Sequence, residues 1–280
     1  MAISEQLKTL VDQMPNPDGR GMYCTDIDKE KIEKAVAEIR KGGKENILGL
    51  IDMLGEPGSD QDVKPHYALH CLANCVLTLK DEKARKEFSE TLAAQLESDR
   101  SKYVRGYLCQ ELGWAGRGEA CAPLGKLLTD EELVDRAAMA LVAIKDGAAE
   151  VLRAALPKAQ GRCRLAILHS LAALADPQST ETFRQALKDA NREVRLAAGS
   201  GLAKIGDAGA AELLLKAADV EPGWERIQAG KHCLVLAETL TASGKKAEAA
   251  KIYTHLRDTR TDPSEKHIRE AAERGLAATN

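Results

Sequence analysis

The stretch NREVRLAAGSGLAKIGDAGAAELLLKAA, residues 191–218, decides the fold. Its first half keeps apolar and small residues on one face at helical spacing. Gly206-Asp207 then interrupts the pattern before a second, leucine-rich segment. Glycine favours the left-handed backbone conformation found at helix ends, and aspartate can cap the helix that follows. Residues 191–218 are therefore predicted to form a hairpin of two helices joined by a tight turn.

The same hairpin recurs along the centre of the chain at a spacing of 29 to 31 residues. One leucine of the first helix marks each repeat: Leu112, Leu141, Leu171 and Leu202. An aspartate follows three of these leucines at a constant distance, in the predicted turns: Asp146, Asp176 and Asp207. A repeat of this length is one supersecondary unit that buries its apolar face against its neighbours. The hairpins are predicted near residues 101–129, 131–157, 160–189 and 191–218.

The repeat pattern continues less regularly on both sides of this centre. Helical spacing predicts hairpins at about 28–54 and 65–97, a further pair over 224–257, and a last helix after residue 261. The prediction is an all-α, right-handed α-solenoid of about seven hairpins with atypical ends. Residues 28–280 are predicted as one continuous solenoid domain, preceded by an N-terminal helix and linker over 1–27. Within that linker, Gly19–Cys24 either joins the elements or wraps the first repeat to grip a ligand, and the linker role is favoured.

Composition limits the functions that fit this chain. Aromatic residues are 3% of the sequence and the net charge is −3, which argues against a basic groove for nucleic acid. The first residues lack the charged start and apolar run of a signal peptide, and no apolar run approaches the ~20 residues of a membrane span. The chain is therefore expected to be cytoplasmic, with no membrane partner, unless a signal peptide has been removed. The seven cysteines include no Cys-x-x-Cys pair and are predicted to be reduced, mostly buried thiols.

Residues 191–218 also carry a family resemblance. Val194-Arg195, Ala197-Ala198 and Ile205-Gly206-Asp207 resemble the HEAT repeats of the phycobilisome-lyase type, and the resemblance extends over roughly residues 60–277. It implies a HEAT-like solenoid that acts as a binding scaffold. It also implies two alternatives, a subunit of a phycobilin lyase or isomerase complex and a structural accessory subunit of a larger assembly.

An arginine recurs beside the apolar anchor of the repeats: Arg105, Arg164, Arg195 and Arg269. These arginines could form an anion-binding row. The favoured interpretation is structural, because each arginine could bond to the turn carboxylate of a neighbouring repeat. Asp146, Asp176 and Asp207 are the predicted carboxylates of this ladder.

The cluster His66, His70, Cys71 and Cys75 is the strongest candidate for a metal site. At 100° per residue, the two histidines share one helix face and the two cysteines share another, so the four cannot converge on one ion. No nucleophile, zinc-protease, P-loop or dinucleotide motif is present. We therefore expect no metal, no cofactor and no catalytic residue.

Trp114, Arg117 and Trp224 are the candidate partner-binding residues. Exposed tryptophan is a frequent anchor in protein interfaces, although packing between adjacent repeats is the favoured role for both tryptophans. The predicted function is that of a non-catalytic scaffold. A monomer is favoured over a homo-oligomer. The scaffold would bind a protein or peptide on a concave surface lined by the second helix of each hairpin.

Overall fold

The structure, a computed structural model, describes residues 3–19, 24–55 and 62–279. These residues are almost entirely α-helical, which confirms the all-α solenoid fold class predicted from the sequence. The chain divides into two compact units, unit 1 (Met1–Ala155) and unit 2 (Leu156–Asn280). The single domain over residues 28–280 stays a prediction. None of the helices in the described ranges is both long and apolar enough to span a bilayer.

Unit 1 contains an N-terminal helix, one short strand pair and four helical hairpins. Its elements are α1 Glu5–Val11, β1 Asn16–Pro17, β2 Cys24–Thr25, α2 Lys29–Lys41, α3 Gly43–Asp52, α4 Val63–Thr78, α5 Glu82–Gln95, α6 Lys102–Ala115, α7 Gly118–Gly125, α8 Val134–Ile144 and α9 Ala148–Ala155. The first helices of successive hairpins stack on one another, α2 on α4, α4 on α6 and α6 on α8.

Unit 2 contains three hairpins and a terminal helix. Its helices are α10 Gly161–Ala173, α11 Thr180–Ala186, α12 Arg192–Ile205, α13 Ala211–Ala218, α14 Trp224–Ala242, α15 Lys246–Thr259 and α16 Lys266–Thr279. The first helices again stack, α10 on α12 and α12 on α14. Within the described residues the two units contain seven hairpins, the number that the repeat pattern predicted.

Three of the central hairpins close through a residue with a positive φ angle, although ψ differs, at −57° for Lys145 and 31° for Gly206. The residue before the turn aspartate has a left-handed backbone in each case, with φ of 66° at Lys145, 50° at Ala175 and 75° at Gly206. Only Gly206 adopts this conformation without a steric cost from a Cβ atom. After the turn, Asp207 Oδ1 accepts a hydrogen bond from the Gly209 amide at 3.0 Å, so it caps the short 3-10 turn Ala208–Ala210 that leads into α13.

The N-terminal segment packs on the first hairpin. Leu7, Val11 and Met14 are buried, and α1 contacts α2, α3 and α4. A Cβ atom on Gly49 of α3 would lie 2.5 Å from the Leu7 side chain, so a glycine is needed where α1 crosses α3. Residues 20–23 of the Gly19–Cys24 stretch lie outside the described residues, and the role of that stretch stays a prediction.

Candidate functional site

A groove in unit 1 runs along the line where α6 meets α8. It consists of two adjoining cavities of about 470 and 330 Å³, which share Gln110 of α6 and Arg136 of α8. We call it the α6–α8 groove. The first cavity is lined mainly by polar side chains: His66, Lys102, Tyr103, Tyr107 and Glu132. The second is lined mainly by apolar and small residues: Gly113, Trp114, Met139, Ala140 and Ala143.

Small residues form the floor of this groove. A Cβ atom on Gly113 would lie 3.3 Å from the Ala140 Cα atom, so α6 and α8 touch almost backbone to backbone there. Gly106, about two helical turns earlier, likewise has no side chain where Leu133 and Arg136 face it. Large side chains at the rim therefore stand above a low floor, and a groove results.

A hydrogen-bonded cluster builds the polar end of the groove. Nδ1 of His66 lies 2.7 Å from the backbone oxygen of Asp62 and 2.9 Å from its carboxylate. Both neighbours are acceptors, so Nδ1 carries a proton. Tyr103 donates its hydroxyl to Asp62 at 3.1 Å, and Tyr107 donates its hydroxyl to the His66 carbonyl at 2.7 Å. The tyrosine rings contact the His66 ring, with centroids 5.7 and 4.2 Å away.

This cluster contains part of the chemistry of a hydrolase. Asp62 lies beside His66 as the orienting carboxylate lies beside the histidine base of a catalytic triad. Among the described residues that line this cavity there is no serine, threonine or cysteine to act as a nucleophile. The arrangement forms a hydrogen-bonded polar surface at this end of the groove.

A buried carboxylate joins the middle of the groove to its apolar end. Glu111 of α6 is fully buried, and its carboxylate lies 3.1 Å from Nδ1 of His70 on α4. The hydrogen bond that His70 Nδ1 donates to the Glu111 carboxylate raises the pKa of His70 above its ordinary value of 6.5, although burial acts in the opposite direction. The His70 ring in turn meets the Trp114 ring edge to face at 5.6 Å. His70 therefore supports Trp114 at the groove rim.

The raised pKa of His70 predicts a pH-dependent stability of unit 1. The His70–Glu111 pair contributes fully below pH 6.5, the ordinary pKa, and its contribution is lost as pH rises through the higher folded-state pKa. NMR titration of the histidine rings should place the His70 midpoint above 6.5. His232 of unit 2 is the internal control, because burial lowers its pKa to about 4. A His70 midpoint at or below its ordinary value would contradict the arrangement, as would a His70→Gln variant with the wild-type pH dependence of unfolding.

Exposed apolar side chains mark the other end of the groove. Trp114 is 53% exposed and Met139 is 71% exposed. Trp114 contacts the preceding hairpin through the His70 ring. This contact is incomplete, because half of the Trp114 ring remains open to a partner.

The other two candidate partner-binding residues lie elsewhere. Arg117 is in the α6–α7 turn, where its side chain donates to the Gly116 carbonyl at 2.9 Å; it does not line the α6–α8 groove. Trp224 opens α14 in unit 2 and is 51% exposed. Its ring lies under the Arg192 guanidinium at 4.9 Å, a cation–π contact with the preceding hairpin.

The partners predicted for the arginine ladder were wrong: the arginines do not bond to the turn aspartates of neighbouring repeats. Arg164 pairs with Asp189 at 2.7 Å and Arg195 pairs with Glu225 at 2.6 Å, so both carboxylates lie outside the intra-hairpin turns. Arg105 and Arg195 donate to backbone carbonyls just before their own hairpins, at Leu96 and at Asp189 and Ala190. Arg105 and Arg195 therefore tie their first helices to the loops that precede them, whereas Arg164 reaches Asp189 in the loop that follows its own hairpin.

The turn aspartates have other partners as well. Asp207 pairs with Arg184 of α11 at 2.6 Å, and Asp176 accepts a hydrogen bond from Ser179 in its own hairpin. Asp146 accepts a hydrogen bond from the Cys121 thiol through its backbone oxygen. Arg269 lies half-buried on α16. The repeat spacing could not reveal these pairs, because Arg184 and Asp189 do not follow the repeated pattern.

Two arginines that sequence reasoning missed are almost completely buried. Arg85 of α5 donates to Glu119 at 2.6 Å and to the Ala115 carbonyl at 2.8 Å, which joins two hairpins of unit 1. Arg260, after α15, is fully buried and donates to Asp219 and to the Ala218 carbonyl. Each arginine joins neighbouring helices at one place in the fold, and neither belongs to a repeated row of arginines.

Three of the four residues considered as candidate metal ligands, His66, Cys71 and Cys75, line two different grooves. His66 lines the α6–α8 groove, whereas Cys71 and Cys75 line a groove of about 550 Å³ between α2 and α4. Burial raises the pKa of the Cys71 thiol to about 11, so it is a poor nucleophile. Across residues 3–19, 24–55 and 62–279, no three His, Cys, Asp or Glu side chains are grouped to hold a metal ion. All seven cysteines are free thiols, four of them buried.

The sequence contains one signal for the α6–α8 groove, a row of aromatic residues on α6. Tyr103, Tyr107 and Trp114 recur at helical spacing on one face of α6, and they are three of only nine aromatic residues in the chain. Such a stripe in an aromatic-poor sequence marks a special surface. The contributions of Asp62 and Met139 come from other helices and carry no such signal.

Comparison with known proteins identifies the repeat. The family described as HEAT repeats matches residues 89–172 and 149–234, which together span more than half of the chain. No curated protein matches the sequence.

Solved structures show a similar fold. The karyopherin Kap121p, bound to the extreme C-terminus of the protein phosphatase Cdc14p, is 11% identical with a TM-score of 0.53 over 89% of this chain and 32% of that one. A chain of the Kap95:Nup1 complex is 12% identical with a TM-score of 0.52 over 91% of this chain and 41% of that one. The chain thus spans less than half the length of either protein. The CpcE and CpcF phycocyanin lyase complex from Nostoc sp. PCC7120 is 19% identical with a TM-score of 0.44 over 82% of this chain and 94% of that one.

The first two structures share the α-solenoid architecture, and at these identities they show the fold alone. The family match agrees with the structure, in which the turns repeat and the first helices stack within each unit. The chain therefore belongs to the HEAT-repeat family.

Proposed function

We propose that this protein is a non-catalytic scaffold that binds a protein or peptide partner in the α6–α8 groove. The observation that carries the proposal is the exposure of Trp114 and Met139 beside a built polar cluster. Interface hot spots are enriched in Trp, Tyr and Arg, and Trp114, Tyr103 and Arg136 line this one groove. A solvent-exposed methionine also suits a binding surface, because its flexible side chain adapts to a partner.

This proposal moves the binding surface from the second helices to the first. The exposed large apolar side chains among the described residues are Ile27, Leu79, Tyr103, Trp114, Met139, Leu213 and Trp224. Four of them lie on first helices, whereas Leu213 alone lies on a second helix. The groove between two first helices is therefore the better candidate for contact with a partner.

The groove has a polar end and an apolar end, and a partner should match both. Lys102 is already paired with Asp130 and Glu132, at 3.1 and 2.8 Å. Arg136 donates to the neutral Gln110 side-chain oxygen at 3.2 Å and pairs with no carboxylate of the described residues, so its charge is available to a partner carboxylate. The fitting partner segment places an acidic residue at Arg136 and an apolar side chain between Trp114 and Met139.

The double variant Trp114→Ala/Met139→Ala is expected to lose its native partner. Both side chains are at the surface, so the folded state should be little affected, while removal of two central anchors should weaken binding at least a hundredfold, about 3 kcal/mol. Affinity capture from the source cells, quantified by mass spectrometry, identifies the partner. Calorimetry with the purified partner then gives the affinity.

The matched control is Trp224→Ala, which removes an equally exposed tryptophan outside the groove. Its partner affinity should stay within twofold of wild type. Equal capture by wild type and the double variant would contradict binding in this groove. A spectral change on addition of a bilin, lost in the double variant, would favour a phycobilin-lyase subunit instead.

A further inference from the structure

A second, more enclosed cleft lies in unit 2 between α11 and α13. Its volume is about 280 Å³. In unit 1 the corresponding second helices touch, α5 on α7 and α7 on α9, whereas here the space between two second helices stays open. The walls are apolar, formed chiefly by Leu187, Leu196, Leu213, Leu214 and Val220. Leu213 is 37% exposed, so an apolar wall faces solvent.

Gly199 and His232 form the base of this cleft. A Cβ atom on Gly199 of α12 would lie 2.9 Å from Nδ1 of His232 on α14, so the imidazole occupies the space that a larger residue would fill. Burial lowers the pKa of His232 to about 4, with Lys204 acting in the same direction. The His232 imidazole at the bottom of the cleft is therefore uncharged at neutral pH. It adds a polar group to an otherwise apolar site.

The rim of the cleft is positively charged. It is lined by four basic residues, Arg184, Lys188, Arg195 and Lys216. Among the described residues, Glu225 is the one acidic residue in the lining. Arg184 is paired with Asp207 and Arg195 with Glu225. Lys188 and Lys216 are exposed on opposite sides of the opening, on the segments that carry α11 and α13. The local excess of positive charge contrasts with the net charge of −3 for the whole chain.

We propose that the α11–α13 cleft binds an acidic peptide segment that inserts one bulky apolar side chain between the two helices. The apolar walls fit the anchor side chain, and the lysines of the rim fit flanking carboxylates. The cleft is slightly smaller than the ~300–1,000 Å³ typical of small-molecule pockets, and its size suits a single side chain. This surface is independent of the α6–α8 groove, so either proposal can fail without the other.

The probes are fluorescein-labelled twelve-residue peptides with one central Leu, Phe or Trp flanked on both sides by Asp and Glu. Comparison peptides replace the anchor by Ser or the acidic flanks by Lys. Fluorescence anisotropy with the full chain measures binding at low and high salt, because charge attraction between rim and flanks weakens as salt rises. Sodium dodecanoate, added as a competitor, tests whether a small amphiphilic anion takes the site instead.

Three variants locate the binding. Lys188→Glu/Lys216→Glu reverses two exposed charges and should weaken binding of the acidic peptides at least tenfold. Leu213→Ser removes an exposed part of the apolar wall and should weaken it several-fold. The control Lys246→Glu/Lys251→Glu makes the same charge change at exposed positions of α15 and should keep affinity within twofold of wild type.

Tight binding that needs the apolar anchor, the acidic flanks and the two rim lysines supports the proposal. It is overturned if no acidic peptide binds more tightly than its Lys-flanked counterpart. It is also overturned if the rim variant and the α15 control lose affinity equally. Saturation by dodecanoate without any peptide binding would assign the cleft to a small amphiphile and refute a peptide site.

Discussion

Arg260→Ala is expected to lower the free energy of unfolding by about 3–5 kcal/mol, as measured for broken buried ion pairs. The Arg260 side chain is fully buried, and its guanidinium donates to Asp219 Oδ1 at 2.9 Å and to the Ala218 carbonyl at 3.0 Å. Its Nε also lies 3.7 Å from Glu265, which is 1% exposed. Truncation leaves a cavity and removes one of the two cations that face the buried Glu265 carboxylate.

Urea unfolding followed by circular dichroism measures this loss. The matched control is Arg257→Ala, three residues upstream, because Arg257 is exposed and pairs with its neighbour Asp258. Its effect should be too small to resolve in the unfolding curve, as is usual for an exposed ion pair. If the two alanine variants lose similar stability, the buried contacts of Arg260 do not stabilise the fold as we expect. Hydrogen exchange should show the Arg260→Ala loss first in α13, α15 and α16, whose ends this network joins.

Leu202→Ala is the second large effect, with an expected loss of about 2–5 kcal/mol. Leu202 is fully buried on α12, which packs on both α10 and α14. Removing most of its side chain leaves a cavity where three first helices meet. Arg195→Ala should cost only about 1 kcal/mol, because its partner Glu225 is partly exposed and keeps access to water.

Hydrogen exchange distinguishes a repeat array from a single cooperative globule. In a repeat array each hairpin depends on its neighbours, so Leu202→Ala should reduce protection first over about residues 160–258. An even loss from residue 28 to residue 277 would contradict the nearest-neighbour description. A larger loss for Arg195→Ala than for Leu202→Ala would show that the Arg195 pair matters more than the core contact.

Local periodicity was sufficient to predict the helices and turns of this chain. The hairpin predicted at 191–218 corresponds to α12 and α13, and the pair predicted over 224–257 corresponds to α14 and α15. The left-handed Gly206 and the capping Asp207 follow from the intrinsic preferences of those residues. The sequence therefore determined the fold class, the number of hairpins and the apolar face of each helix, because these depend on contacts within one repeat or between adjacent repeats.

The partners of charged side chains were decided only by the tertiary structure. Arg195 bonds to Glu225 rather than to a turn aspartate, and Arg260 reaches Asp219, which is 41 residues away. Repeat spacing gives the position of a residue within its hairpin, but it does not give the reach of a long side chain across a loop. The two binding surfaces have the same origin: Met139 meets Trp114, and the α11–α13 cleft opens over Gly199, only when helices distant in sequence are packed together.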